Sequence, residues 1–554
     1  MVAGLCYAIA TIVLTWPLFR HPATTVLDTQ SLYGDASILV QRDINLTVWA
    51  LAWDAHALTT DPLHLFDANA FFPARLTLAF SEHRLGNVPF AGPVFLLTGN
   101  AVLGHQVALF ASFVLCGLAM AVYVLYWTGD RMAALAGGFV FTFAPYRFWQ
   151  LASLDIISLQ YLPLVMLGID GVLDRVRPRL AAAALIAALV LSTTCSYYVG
   201  YAAFVLAAVY ALGGLAGRGR SALPRAAPLL VAGAVSATFL AVLTVPYVLL
   251  QRSGDLPNYT RSDFASFGFR VMTKFGVRGL LSWFVLPKHE GIPQFLTWGA
   301  LAAAVPAVVW RRRRPVGSLL AVAITGVVLG LGPSAASPTG AGEISLPYAW
   351  LAAIVPGFSA MRAPLRFGAL TTLGVAALAS LGIAAVRSRL ARRSWSLAAR
   401  LVPIVVVVAV LVQAIPGGLA VSALETGAAL PEGVRWLAEH GDGGPLLNLP
   451  TDRVDLLRES RYMVYSTAHW LPMVNGYSSY PPAGFLAVVD AAARLPDPAA
   501  LDDVLRLVPL RWILFDRTRT RMLPKERDAY DRVLSARLRV AHDSGGDVVY
   551  EVPR

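Results

Sequence analysis

The chain has 554 residues, of which 57% are hydrophobic and 14% charged, with a mean hydropathy of +0.61. Soluble domains carry nearer a quarter charged residues, so the composition excludes an ordinary soluble protein and points to a polytopic membrane protein. The net charge of +12 does not mark a nucleic-acid binder, because the arginines cluster in short loops between apolar runs, as positive-inside topology requires.

The first apolar run, 2–19, lacks a basic n-region and an A-x-A-like cleavage site, so it reads as a retained first helix. Further runs follow at 101–127, 131–148, 154–171, 180–196, 197–213, 228–250, 296–310, 316–333, 361–386 and 401–420, for about eleven transmembrane helices. Loops holding Arg175, Arg177 and Arg179; Arg218, Arg220 and Arg225; Arg311 to Arg314; and Arg387, Arg389, Arg392, Arg393 and Arg400 alternate onto one face, expected to be cytoplasmic. The opposite face then receives 20–100, 251–295 and everything after about 421. Cys6, Cys116 and Cys195 all fall in apolar runs, with neither a disulfide framework nor metal-ligand spacing.

The 20–100 segment is a large first outer loop rich in acid: Asp28, Asp35, Asp43, Asp54, Asp61, Asp67 and Glu82. Within it, INLTVWALAWDAHAL (44–58) has apolar residues at helical spacing and two tryptophans, which predicts a helix lying in the membrane interface, with Asp43 and Asp54 on its solvated face. Pro62, Pro73, Pro89 and Pro93 divide the remainder.

The composition predicts two domains: a transmembrane domain over 1–420 and an extracytoplasmic α/β domain over 421–554. In the second, GDGGPLLNLP (441–450), LRWILFD (510–516) and DVVYEV (547–552) read as strands, and 431–441 and 524–538 as helices. YSTAHWLPMVNGYSSYPP (465–482) is expected to be an exposed loop suited to contacting sugars or the membrane surface.

Polar residues gather at the outer helix ends. Asp35 and Asp43 follow the first helix, and Glu82 and His83 precede the second. APYRFWQ supplies Arg147 and Gln150, and Asp155 follows. CSYYVGY supplies Tyr197 and Tyr198, and MRAPLRF supplies Arg362 and Arg366. Outer arginines run against the positive-inside bias. Guanidinium binds phosphate through paired hydrogen bonds, and a neighbouring carboxylate suits a general base. A membrane lipid phosphate is therefore the expected partner, with Asp35 and at least one of Arg147, Arg362 and Arg366 lining a cavity open to the outer leaflet. Glu82 and His83 form at most a weak metal-ligand pair. No GxSxG, HExxH or Walker A sequence occurs.

One helix, a large outer loop with an early acid, many helices and an outer soluble domain together resemble the GT-C superfamily of polyprenyl-phosphate-sugar-dependent glycosyltransferases. GDASILVQRDINLTVWALAWDAHAL, FDANAFFP, LAFSEH, FAPYRFWQL, MRAPLRFGAL and YMVYSTAHWLPMVNGYS are similar to a set of bacterial membrane proteins described as glycosyltransferase-like or YfhO-like. The resemblance implies an enzyme of the bacterial cytoplasmic membrane that moves a sugar from a polyprenyl-phosphate sugar donor to a glycan, lipid or protein acceptor outside the cytoplasm. It implies Asp35 as the catalytic acid, with Asp43, Asp54, Glu82 and His83 supporting the loop. Arg147, Arg362 and Arg366 would hold the donor phosphate, and Gln150, Asp155, Tyr197 and Tyr198 would line the sugar pocket. A divalent metal cofactor stays an open option. The chain departs from the pattern at Gly34-Asp35-Ala36, where characterised members often carry a second acid, and at Ala152-Ser153-Leu154, where the similar set usually has a histidine. The competing readings are a lipid or polysaccharide transporter or flippase, which would show mid-membrane polar residues and inverted repeats, and a non-catalytic scaffold in envelope assembly.

Overall fold

The computed structural model describes residues 2–29, 37–255, 296–310, 314–336, 343–361, 363–414, 418–478, 480–518 and 522–553. The chain packs as two compact units: Met1–Trp16, Leu109–Val242 and Tyr259–Leu419 in the first, and Pro17–Ala108, Leu243–Asn258 and Ala420–Arg554 in the second. Residues 17–108 and the C-terminal region, which the composition separated, thus belong to one body.

The first unit is helical. Among the described residues of the whole chain, seven helices are long and apolar enough to cross a membrane: Ala101–Thr128, Leu154–Leu173, Pro178–Cys195, Tyr197–Ala216, Ser221–Ser253, Pro364–Arg392 and Ser396–Ala414. Shorter apolar helices at Val2–Leu14, Trp298–Trp310 and Val316–Gly330 account for most of the remaining expected runs. The apolar run 131–148 is divided at Ala144, ahead of Pro145, into Arg131–Thr142 and Pro145–Trp149, because the residue before a proline is driven out of the helical region.

The helix Gly368–Arg392 is the centre of this unit and is buried at every residue from Gly368 to Ala385. Small residues make that possible. A Cβ at Gly382 would collide with the Ala303 carbonyl, and one at Gly326 would stand 2.5 Å from the Thr371 backbone nitrogen. Backbones that close gain dispersion contact that bulky side chains would deny them. The first helix is seated in a related way: Tyr7 is fully buried, and its hydroxyl donates to the Leu135 carbonyl at 3.0 Å.

The second unit is α/β. Strand β1 (Thr25–Asp28) pairs antiparallel with β2 (Ala420–Ala423). A separate four-stranded sheet contains β3 (Leu446–Leu449), β4 (Trp512–Asp516), β5 (Arg539–Asp543) and β6 (Asp547–Glu551) in the spatial order β3-β4-β6-β5, with β3 parallel to β4 and the other pairs antiparallel. Alternate residues Leu447, Leu449, Ile513, Phe515, Val548 and Tyr550 join one core with the helices Ala483–Ala492, Pro498–Leu507 and Pro524–Ser535. The helix Glu432–His440 packs on the opposite face, where Gly433 approaches Leu514 and Val549. Three of these strands and two of these helices fall on the expected segments; β5 was not anticipated.

Two expectations are overturned here. The segment 465–482 is not an exposed loop: Asn475 is fully buried, Tyr477 is buried, and residues 472–474 line the edge of β3. Leu446 N–H donates to Pro472 O and Val474 N–H to Leu446 O. On its other side Met473 N–H donates to Asn69 O, and Phe72 N–H to Met473 O. The segment is the seam through which the outer loop joins the sheet, and its polar residues satisfy backbone groups that would otherwise be buried unpaired. Nor does the tryptophan-bearing helix lie in an interface. It runs Ser37–Thr60, and from Ile44 to Ala55 every residue is buried. It packs against Val88–Thr98 and Leu456–Ser466, with Asn45 Nδ2 donating to Ser460 Oγ (3.0 Å) and Trp49 Nε1 to Asn69 Oδ1 (3.1 Å).

Glu459 closes this seam. Wholly buried, it accepts from Thr451 Oγ1 at 2.7 Å and Asn475 Nδ2 at 3.0 Å. Burial pushes its carboxyl up to about 7, against the pull of those hydrogen bonds. A raised carboxyl favours the folded state below its unfolded value of 4.5, and that contribution is lost as pH rises to about 7, so the second unit is expected to be less stable at pH 7.5 than at pH 5, by about 2 kcal/mol from this group. Glu459→Gln should remove that share. Thermal unfolding of the full chain in detergent at both pH values checks this, and an unchanged pH dependence in the Gln variant would refute it.

Candidate functional site

Asp35 and Arg362 lie outside the described residues. The other expected residues fall into two sets, one in each unit.

In the first unit, the helix Pro178–Cys195 ends where Ser196 turns extended (φ −166°) and caps the next helix, its Oγ accepting from Tyr198 N at 3.2 Å. This fixes Tyr198 at the start of Tyr197–Ala216. Its hydroxyl accepts from Ala363 N at 3.1 Å, and its ring carries the Arg366 guanidinium, 4.3 Å from the ring centroid. Tyr146 completes the set by donating to the Arg366 carbonyl at 2.9 Å. The structure therefore brings Arg366 and Tyr198 together with Tyr146, a residue the sequence did not single out. Asp155 is buried in the short helix Leu154–Ile157. Arg366 is half-buried, and a guanidinium over an aromatic ring is held by cation–π attraction while its planar fork suits a bidentate oxyanion.

Arg147 is placed differently. It is fully buried, donates to Thr142 O (3.2 Å) and Ser112 Oγ (2.9 Å), and lies 3.9 Å over the Phe113 ring. Those contacts tie three stretches of the helical core. Gln150 is buried just after the short helix Pro145–Trp149, and Tyr197 is half-buried.

In the second unit, the residues flanking 30–36 are held firmly. Gln41 Oε1 accepts from Thr29 N at 3.2 Å, while its Nε2 donates to Ser422 Oγ at 3.4 Å. With the β1–β2 ladder, Gln41 binds together both chain ends that border the stretch containing Asp35. Two residues further, Asp43 accepts from the Tyr477 hydroxyl at 2.6 Å, and Arg42 stands 4.9 Å over the Tyr477 ring. No window of sequence shows the pairing of Gln41 with Ser422 or of Tyr477 with Asp43, 381 and 434 residues apart.

Asp54 is fully buried, not solvated as expected. It accepts from the Arg84 backbone N–H at 2.9 Å, and burial pushes its carboxyl up to about 7 although that hydrogen bond pulls the other way. A helix enclosed by two others has no solvated face, and this is why periodicity misplaced it. The Glu82 carbonyl accepts from the Arg84 guanidinium. His83 is fully buried, with its backbone N–H and Nδ1 both on the Tyr247 hydroxyl (3.1 and 2.9 Å). Among the described residues, no three His, Cys, Asp or Glu side chains gather as a metal site.

No protein-family model matches the chain, and no curated protein matches it. Solved structures do. The cryo-EM structure of arabinofuranosyltransferase AftD from Mycobacteria matches 96% of this chain at 16% identity with a TM-score of 0.54. A point mutant of the same protein, in its class 1 form, matches 99% at 16% identity with a TM-score of 0.58. The chain spans only 41% of the length of that protein in either case. A crystal structure of ArnT from Cupriavidus metallidurans bound to undecaprenyl phosphate shows a looser likeness, with a TM-score of 0.46 at 13% identity over 93% of this chain and 98% of that one. The chain is a multi-pass membrane protein that shares, over nearly its whole length, the fold of the matching part of that arabinofuranosyltransferase.

Proposed function

We propose that the protein is a membrane glycosyltransferase that moves a sugar from a polyprenyl-phosphate donor to an acceptor outside the cytoplasm. The observation that carries this reading is the Arg366 guanidinium stacked on Tyr198, on a fold that an arabinofuranosyltransferase also uses. Fold alone does not assign chemistry; a built anion seat on that fold supports it.

In this reading Asp35 takes the proton from the acceptor hydroxyl. The acceptor oxygen attacks the anomeric carbon, the bond from that carbon to the phosphate oxygen breaks, and the polyprenyl phosphate leaves with inversion. Arg366 holds the donor phosphate and compensates the charge that collects on it. Arg362, four residues before it in sequence, is assigned the same ligand, whereas Arg147 is assigned to packing. The rim of Asp155, Tyr197 and Tyr198 would meet the sugar. The cytoplasmic membrane and an outer position for the C-terminal region belong to the same proposal.

Arg366→Ala should raise the KM for donor at least tenfold, with Arg366→Lys recovering part of it, since an ammonium restores charge but not the stacked fork. Steady-state transfer by reconstituted protein across a donor titration measures this. A KM unchanged in Arg366→Ala would refute the donor-phosphate role.

A further inference from the structure

We propose that one arginine-rich end of the first unit is a seat for a single anionic phospholipid, whose phosphate is held by Arg225 and Arg314. Three guanidiniums meet where the helices Leu162–Leu173 and Tyr197–Ala216 end. Arg218 spans the two ends, bonding Asp174 through Nη2 and the Gly214 carbonyl through Nη1. Arg225 Nη1 donates to Leu173 O at 2.6 Å, and Arg314 Nε to Gly217 O at 2.8 Å. Carbonyls at a helix C-terminus are the negative end of its dipole and draw cations, but they do not neutralise them.

The carboxylates at this end do not neutralise them either. Asp170 and Asp174 both pair with Arg218. Among the described residues, no carboxylate comes within ion-pair distance of Arg225 or Arg314, nor of the exposed Arg175, Arg177 and Arg179 in the adjoining turn. Arg225 is half-buried, and its Nε lacks a hydrogen-bond partner, so part of its fork has left water without compensation. The turn is also strained. Arg175 (φ 59°) and Arg177 (φ 47°) occupy the left-handed region that glycine adopts far more readily. Charged side chains held at such positions point to binding, beyond mere chain reversal.

Depth and apolar neighbours identify the anion as a lipid headgroup. The helices joined here, Leu154–Leu173, Pro178–Cys195, Tyr197–Ala216 and Ser221–Ser253, are long and apolar enough to cross a membrane, so their ends lie where headgroup phosphates do. Among the arginines stand the exposed Val176, Leu180 and Leu223. A free anion or an acidic protein leaves those side chains in water. A phospholipid covers them with acyl chain while guanidinium pairs with its phosphate through parallel hydrogen bonds. Charge bias alone asks only for arginines on a face. The other arginine-rich turn expected on this face is partly satisfied from within, since Arg387 pairs with Asp130 and Arg389 lies over Trp310.

The full chain in detergent tests this, by thermal unfolding with added phosphatidylglycerol, phosphatidylcholine or inorganic phosphate, and by native mass spectrometry that counts retained lipid. Phosphatidylglycerol should raise the melting temperature with one molecule retained, and the other two additives should do neither. The double variant Arg225→Gln, Arg314→Gln should hold phosphatidylglycerol about thirtyfold more weakly. Arg314→Gln alone alters an exposed side chain, so it stays informative if the double variant misfolds, and its affinity should fall about fivefold. Arg393→Gln, on the same expected face but outside the seat, should bind as the wild type does. Wild-type affinity in Arg314→Gln, an equal loss in Arg393→Gln, or the same melting shift from inorganic phosphate or phosphatidylcholine would overturn the proposal.

Discussion

Arg218→Met should cost the protein about 3–5 kcal/mol of stability, because it strands buried carboxylates. The Arg218 side chain is 3% exposed and that of Asp170 2%. Arg218 bonds Asp174 Oδ1 through Nε (2.9 Å) and Nη2 (2.7 Å), reaches Asp170 Oδ1 at 3.4 Å, and donates to Gly214 O. Asp170 also accepts from Tyr210 (2.7 Å) and Trp127 (2.9 Å), and Tyr126 donates to Asp174 at 3.0 Å. Three helices, Ala101–Thr128, Leu162–Leu173 and Tyr197–Ala216, thus meet on one charge network. Ionisable groups inside a membrane protein often mark a transport path. Here Asp170 is already saturated by packed neighbours at a helix end beside the arginine-rich turn 175–179, which favours a clamp over a conduit. Adding Asp170→Asn to Arg218→Met should return a large part of the loss, since one uncompensated charge disappears; Asp174, more exposed, can hydrate. Thermal unfolding in detergent measures both. A single variant that melts with the wild type would refute the clamp.

The fold class was legible because its signals are local. Apolar runs and arginine-rich loops report membrane helices one at a time, and strands such as Trp512–Asp516 announce themselves by continuous apolar character. The unit boundaries were not legible. They depend on β1 finding β2 across almost 400 residues and on Asn69 and Phe72 adding to the seam at Met473, pairings that no window of sequence contains. The same distance hid the partners of Gln41 and Tyr477. Misreading Asp54 had a different cause: Ser37–Thr60 has helical periodicity, but the period says which side is apolar, not how many neighbours enclose the helix. Arg366 was singled out because an arginine at a helix end expected to face outward violates a charge bias, and Tyr198 because CSYYVGY marks a turn, cues that need no tertiary knowledge. The charge cue did not separate Arg366 from Arg147, since burial against Phe113 depends on packing.

Asp35→Asn should remove nearly all transfer while leaving the fold intact. A missing general base typically costs ~10²–10⁴-fold, and Asn retains the size of the side chain without its proton affinity. Thermal unfolding beside the wild type checks that the loss is chemical: the two should melt together. The same site read as a transporter would show no dependence of bond cleavage on this carboxylate. The decisive measurement is release of free polyprenyl phosphate from a panel of labelled polyprenyl-phosphate sugars by the reconstituted full chain. The account predicts that the wild type consumes at least one donor and that Asp35→Asn consumes it at least a hundredfold more slowly; consumption of none, or equal consumption by the variant, would contradict it.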